Sequence, residues 1–148
     1  MFLDTQTLLS DAQALTATAV STNTYDSGAS TNEIGAGEPL AAVFTVDVAA
    51  DTASGDETYQ FQIIQSANAN LSSQDVLVAT DTSFITRSTL VAGYKLIIPL
   101  PHGLKSKRYL GVRYVLGGTT PTLTVTCNLV PLNTVEVQKS YPKGYTIS

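Results

Sequence analysis

Arg108-Tyr109-Leu110-Gly111-Val112-Arg113-Tyr114-Val115-Leu116 puts Leu110, Val112, Tyr114 and Leu116 on one side and Tyr109, Arg113 and Val115 on the other. A period of two is the signature of a half-buried strand. After Gly117-Gly118-Thr119-Thr120-Pro121 the pattern resumes, with Leu123, Val125, Cys127 and Leu129 opposing Thr122, Thr124, Thr126 and Asn128. Both runs are rich in β-branched and aromatic residues, which a pleated, half-buried surface favours. The five residues between them read as a hairpin loop.

The same alternation recurs along the chain. Leu40, Ala42, Phe44, Val46 and Val48 share a face; so do Tyr59, Phe61 and Ile63 against Gln60 and Gln62, and Tyr94, Leu96, Ile98 and Leu100. Shorter strand candidates are Ala14–Val20, Asp75–Thr80 and Ser83–Ser88. Ser54-Gly55-Asp56 reads as a second hairpin loop, and Pro99 and Pro101 end their strand because proline cannot donate to a ladder. One short helix is expected near residues 7–15, capped by Ser10 or Asp11, before the strand formers Thr16, Thr18 and Val20 take over. About eight short strands with regular turns imply an all-β sandwich, jelly roll or small barrel. Two segments do not read as core. Residues 21–39, rich in Ser, Thr, Asn and Gly, form a long loop or arm, and residues 131–148 form a basic, aromatic tail suited to lying on a neighbour.

The chain has 148 residues, enough to bury roughly 68–70% of its unfolded surface without a metal or disulfide staple. One domain spanning 1–148 is expected. Only 14% of the residues are charged, against about 25% in ordinary domains, which suits a chain packed against other chains. The charge is divided: residues 1–86 hold eleven acids and no Lys or Arg, and residues 87–148 hold eight bases and one acid, Glu136. Either the halves interleave and neutralise each other, or an acidic region of one subunit meets a basic region of another. No apolar stretch is long enough for a membrane span. Met1-Phe2-Leu3-Asp4 lacks the features of a signal peptide, so synthesis in a cytoplasm is expected.

Catalytic chemistry finds little support. His102, the single histidine, lies in the turn Pro101-His102-Gly103, and a triad or a zinc site needs partners that one His and one Cys do not supply. Cys127 shares the apolar face of its strand and reads as core. Asp47, Asp51, Asp56 and Glu57 surround one loop without EF-hand spacing, so a solvated acidic loop is favoured over a weak calcium site. Ile34-Gly35-Ala36-Gly37-Glu38 lacks the third glycine and the strand-to-helix setting of a phosphate loop. Asn70-Leu71-Ser72 matches a glycosylation acceptor, with nothing else indicating a secretory route. Lys105, Lys107 and Arg108, followed by Tyr109, Arg113 and Tyr114, could meet single-stranded nucleic acid; contact with an acidic protein surface is the simpler reading. No enzyme, cofactor or metal is expected.

Phe2-Leu3-Asp4, Leu8-Leu9-Ser10-Asp11-Ala12-Gln13-Ala14, Ser21-Thr22-Asn23-Thr24-Tyr25-Asp26, Ile34-Gly35-Ala36-Gly37-Glu38-Pro39-Leu40 and Lys107–Tyr114 with Thr122–Leu129 together resemble the capsid cement (decoration) proteins of short-tailed Bordetella phages. The resemblance implies a jelly-roll-like β-sandwich that forms a homodimer. It implies many copies on the outer surface of an icosahedral head, bridging neighbouring major capsid proteins, with no direct nucleic acid or membrane contact. The expected capsid-contact residues are Lys105, Lys107, Arg108, Arg113, Lys139, Tyr141, Lys143 and Tyr145, with Met1–Ser10 and Ser21–Pro39 as further contact elements. A carbohydrate-binding or receptor-binding module of a phage tail is the alternative; seven tyrosines favour it and the absence of Trp opposes it.

Overall fold

The structure is a computed structural model, and it describes residues 5–28, 39–81, 85–101 and 105–135. Among the described residues nine strands run in the order β1 (Leu8–Leu15), β2 (Ala19–Val20), β3 (Tyr25–Asp26), β4 (Leu40–Val48), β5 (Thr58–Ser66), β6 (Asp75–Ala79), β7 (Lys95–Pro99), β8 (Tyr109–Gly117) and β9 (Leu123–Pro131). Single 3-10 turns occupy Thr5–Thr7, Arg87–Thr89 and Leu132–Thr134.

Two antiparallel sheets form. The first has the order β1-β9-β4-β7. The second has the order β2-β8-β5-β6, and β3 also pairs with β8. Since Ala19 and Val20 face Tyr114 and Arg113 while Tyr25 and Asp26 face Leu110 and Tyr109, β2 and β3 are one strand interrupted at Ser21–Thr24. Consecutive strands otherwise change sheet at every connection except β5 to β6. Eight strands arranged so form a double-sheet jelly roll, as the sequence resemblance implied.

The strand pattern explains the core. Phe44 from β4, Phe61 from β5 and Tyr114 from β8 pack edge to face, with ring centroids 5.1, 5.9 and 6.0 Å apart. Edge-to-face packing sets the positive ring edge against the negative face. Around them lie Val46, Tyr59, Ile63, Leu110, Val112, Leu123, Val125, Cys127 and Leu129, the residues whose alternation was read from the sequence. Tyr114 satisfies its buried hydroxyl by donating to Ser10 Oγ at 2.8 Å, and Ser10 donates to Gln13 Oε1 at 2.8 Å. Both outer faces are partly covered as well. Val43 and Val130 pack with Val135, which follows the last 3-10 turn. Leu71 folds over Gly111, where a Cβ would lie 2.4 Å from its Cδ1.

Several expectations need correction. Residues 8–15 are a strand, not a helix. Register shifts after Leu8 and after Ser10 break the period of two, and Ala12 takes φ 42°, so burial falls at Leu9, Ser10 and Leu15 and mimics a wider spacing. Pairing with β9 along this segment overrides a weak helical preference. Neither Ser54-Gly55-Asp56 nor Gly117–Pro121 closes a hairpin. Each carries the chain between sheets, because β4 and β9 lie in the first and β5 and β8 in the second. Turn residues report a reversal of the chain but not which strands pair across it. Val48 is 60% exposed, since the ladder shifts between Val46 and Val48 and turns it outward. Within the expected strand Ser83–Ser88, residues 85–88 are not strand; Thr86 precedes the 3-10 turn, and Ile85 and Leu90 are buried on either side of it. The run Ala14–Val20 is divided between the end of β1, a bend at Thr16–Thr18, and β2.

Candidate contact surface

Four of the basic residues singled out from the sequence, Lys105, Lys107, Arg108 and Arg113, enter or belong to β8. Gln65, near the end of β5 and buried, shapes the lead-in. Its Oε1 accepts the Ser106 and Lys107 N–H groups at 2.8 and 3.1 Å, and its Nε2 donates to Ser106 Oγ at 3.2 Å. Lys105 donates to Ser27 Oγ at 2.7 Å. Lys107 pairs with Asp75 on the edge strand β6 at 2.7 Å. Arg108 forks onto Asp26, Nε to Oδ1 at 2.7 Å and Nη2 to Oδ2 at 2.8 Å, and its guanidinium lies 5.0 Å from the Tyr109 ring centroid. The Arg108 bonds, with the Gly28 N–H, hold the exposed Asp26 carboxyl at a pKa of about 2.

A third ion pair, Arg87 to Glu57 at 3.6 Å, also joins the acid-rich half of the sequence to the basic half. For these residues the two halves interleave and neutralise each other within one chain. Glu57 is not part of a solvated acidic loop. Its buried carboxylate accepts the Ser54 and Gly55 N–H groups at 2.7 and 3.0 Å. Asp56 accepts Thr119 N–H and hydroxyl at 3.0 and 2.9 Å, tying the two sheet-to-sheet crossings together. Those bonds lower the Asp56 pKa. Asp47 accepts the Thr126 hydroxyl at 2.7 Å, and Asp51 accepts the Ala53 N–H at 2.9 Å. Among the described residues no three of His, Cys, Asp and Glu gather to hold a metal. Asn70 Oδ1 accepts Ser72 N–H at 3.1 Å, a local turn bond. Cys127 is fully buried, and desolvation pushes its thiol well above the ordinary range.

Arg113 stands apart from Lys105, Lys107 and Arg108. Its strand neighbours Val112 and Tyr114 point into the core, so it points out of the second sheet, between Val20 on β2 and Gln62 on β5. It is half-buried, and no acceptor among the described residues meets it. Gln62 is 8% exposed; its Nε2 donates to Gln60 Oε1 at 2.8 Å, and its Oε1 receives no hydrogen bond among the described residues. Nothing in the sequence marks Gln62, whose alternation alone suggests a solvated outward residue. Lys139, Tyr141, Lys143 and Tyr145, together with His102 and most of the 21–39 arm, lie outside the described residues.

Beside the interrupted edge strand lies an open cleft of about 630 Å³ lined by Leu8, Asn23, Tyr25, Asp26, Ala69 and Tyr109, among others. A shallower depression around Asn68 and Asn70 shares Ala69 and Tyr109 with it.

A family model described as Bbp16 matches residues 9–128, from β1 to the last third of β9. The chain belongs to the Bbp16 family. Bbp16 points to a Bordetella phage protein family, which agrees with the phage part of the resemblance. The Bbp16 match covers every strand of both sheets at least in part, so it concerns the whole jelly roll. No curated protein matches the chain. Among the described residues, no helix is long and apolar enough to cross a membrane.

Proposed function

We propose that this Bbp16-family chain is a non-enzymatic virion protein that cements the capsid from outside. It binds the major capsid protein as a homodimer and bridges neighbouring subunits. The observation that carries the reading is the family match over residues 9–128, which joins the chain to phage proteins. A jelly roll is consistent with this role, since viral capsid proteins use it, but it hosts many functions and is secondary support.

The physical mechanism is linkage. Packaged genome pushes the shell outward. A protein that binds only when capsid subunits hold their mature spacing stabilises that spacing by mass action. Each contact can be weak, because a dimer touching several subunits gains roughly 10²–10⁴ in avidity. Heads made without this protein are therefore expected to release DNA at a lower temperature than complete heads, and purified protein added back should restore the difference. Equal release temperatures would contradict the proposal.

One observation favours a second reading. The cleft beside β3 is lined by Asn23, Asp26, Tyr25 and Tyr109, and planar polar groups beside aromatic rings suit a sugar. A glycan array with the full chain tests it; specific binding would support a carbohydrate-binding or receptor-binding role.

A further inference from the structure

Arg113 sits where an isolated cation is poorly placed. It is half-buried on the outer face of the second sheet, and none of the ion pairs or side-chain hydrogen bonds among the described residues includes its guanidinium. Lys107 and Arg108, by contrast, are held by Asp75 and Asp26. Directly across the ladder, Gln62 is buried with its Oε1 unmet. Buried polar atoms without partners are rare in folded proteins, and each calls for an explanation. Here a donor fork without an acceptor adjoins an acceptor without a donor.

We infer that Arg113 and Gln62 together form a docking point for a carboxylate-bearing loop of the capsid subunit. The carboxylate lies on the Arg113 guanidinium, and the Gln62 side chain, whose Oε1 is closed off in the free chain, turns outward to meet a main-chain N–H of the same loop. This inference rests on the capsid reading above and deepens it. The chemistry selects the partner. A guanidinium presents a planar donor fork matched to a carboxylate. Gln62 Oε1 repels a carboxylate oxygen and needs a donor. A free anion supplies acceptors only, whereas an acidic peptide loop supplies a carboxylate and an N–H side by side. The surroundings do not compete, because the other ladder partners, Val20 and Ala79, carry no charge, and neither does Val115 two residues along β8.

The test is binding of the full-length chain to heads assembled without it, at several salt concentrations. Wild type is compared with Arg113→Ala, Arg113→Lys, Gln62→Leu and, as a control, Lys95→Ala, an exposed position on β7 of the other sheet. Arg113→Ala is expected to bind about 10- to 100-fold more weakly and with a shallower salt dependence, as loss of a charge-assisted bond predicts. Arg113→Lys should recover only part of that, because the fork is lost. Gln62→Leu should bind more weakly while melting close to wild type, since it removes an orphan acceptor together with the one bond to Gln60 Oε1. Lys95→Ala should bind nearly as wild type. If Arg113→Ala and Gln62→Leu both bind as wild type does, the docking point is wrong while the capsid reading stands. If the wild-type chain itself does not bind heads, the capsid reading fails, and this inference with it. If Arg113→Ala instead changes the sedimentation of the free chain, the carboxylate belongs to a second copy and the capsid assignment of this point is overturned.

Discussion

Arg108 on the lead-in to β8 and Asp26 at the end of β3 form a two-pronged ion pair, with N–O distances of 2.7 and 2.8 Å. The pair joins residues 82 positions apart and fastens the interrupted edge strand to the second sheet. It also uses the strongest basic signal in the sequence on an internal partner.

This pair makes stability depend on acid. The Asp26 pKa falls from 3.8 to about 2 in the folded chain, mainly through Arg108. Its contribution is therefore complete above pH ~4 and is lost as the pH falls towards 2. Side-chain carboxyl NMR should show Asp26 titrating near 2, and in Arg108→Ala the midpoint should move back towards the ordinary value. An unchanged midpoint would mean that Arg108 is not the cause.

Glu57 should matter more than its place in a surface loop suggests. Its buried carboxylate holds two backbone N–H groups and faces Arg87. Glu57→Ala removes both bonds, and a hydrogen bond to a charged group is worth about 1.5–3 kcal/mol. Urea unfolding should show a reduced midpoint, while Asp51→Ala, which removes one bond at an exposed N–H, should change it far less.

Two glycines with similar backbones should respond differently to alanine. Gly93 has φ +86° and open space around a Cβ; Gly118 has φ +89°, and a Cβ there would lie 2.5 Å from the Asp56 carbonyl oxygen. Gly93→Ala should carry only the conformational strain, on the order of 1 kcal/mol. Gly118→Ala adds a backbone collision where the two sheet crossings meet, so its melting temperature should fall distinctly further.

Cys127 should be inert in the native protein. Burial raises its thiol pKa, and the nucleophilic form is the thiolate. A thiol reagent at neutral pH should label it only at the rate of unfolding, and fully in denaturant. Rapid native labelling would show that the jelly-roll core opens far more readily than its packing indicates.

The parts of the fold legible in the sequence are those with clean alternation. Phe44, Phe61, Tyr114 and Cys127 were each placed inward by a period of two, and each is buried. Bulged segments were not legible: the register shifts around Ser10 and Val46 hid a strand in one case and turned Val48 outward in the other. Strand pairing was not legible either, because Ser54-Gly55-Asp56 and Gly117–Pro121 are good turn sequences whether they close a hairpin or cross between sheets. For the contact surface, composition gathered Lys107, Arg108 and Arg113 into one basic group. It could not show that Asp75 and Asp26 neutralise the first two, since those acids lie far away in sequence.

Quantitative mass spectrometry of purified virions, reading the ratio of this chain to the major capsid protein, tests the proposed lattice-wide role on the phage head. A ratio near unity is expected. A handful of copies per particle would point instead to a tail or receptor-binding part, and absence from the virion would contradict the cement role outright.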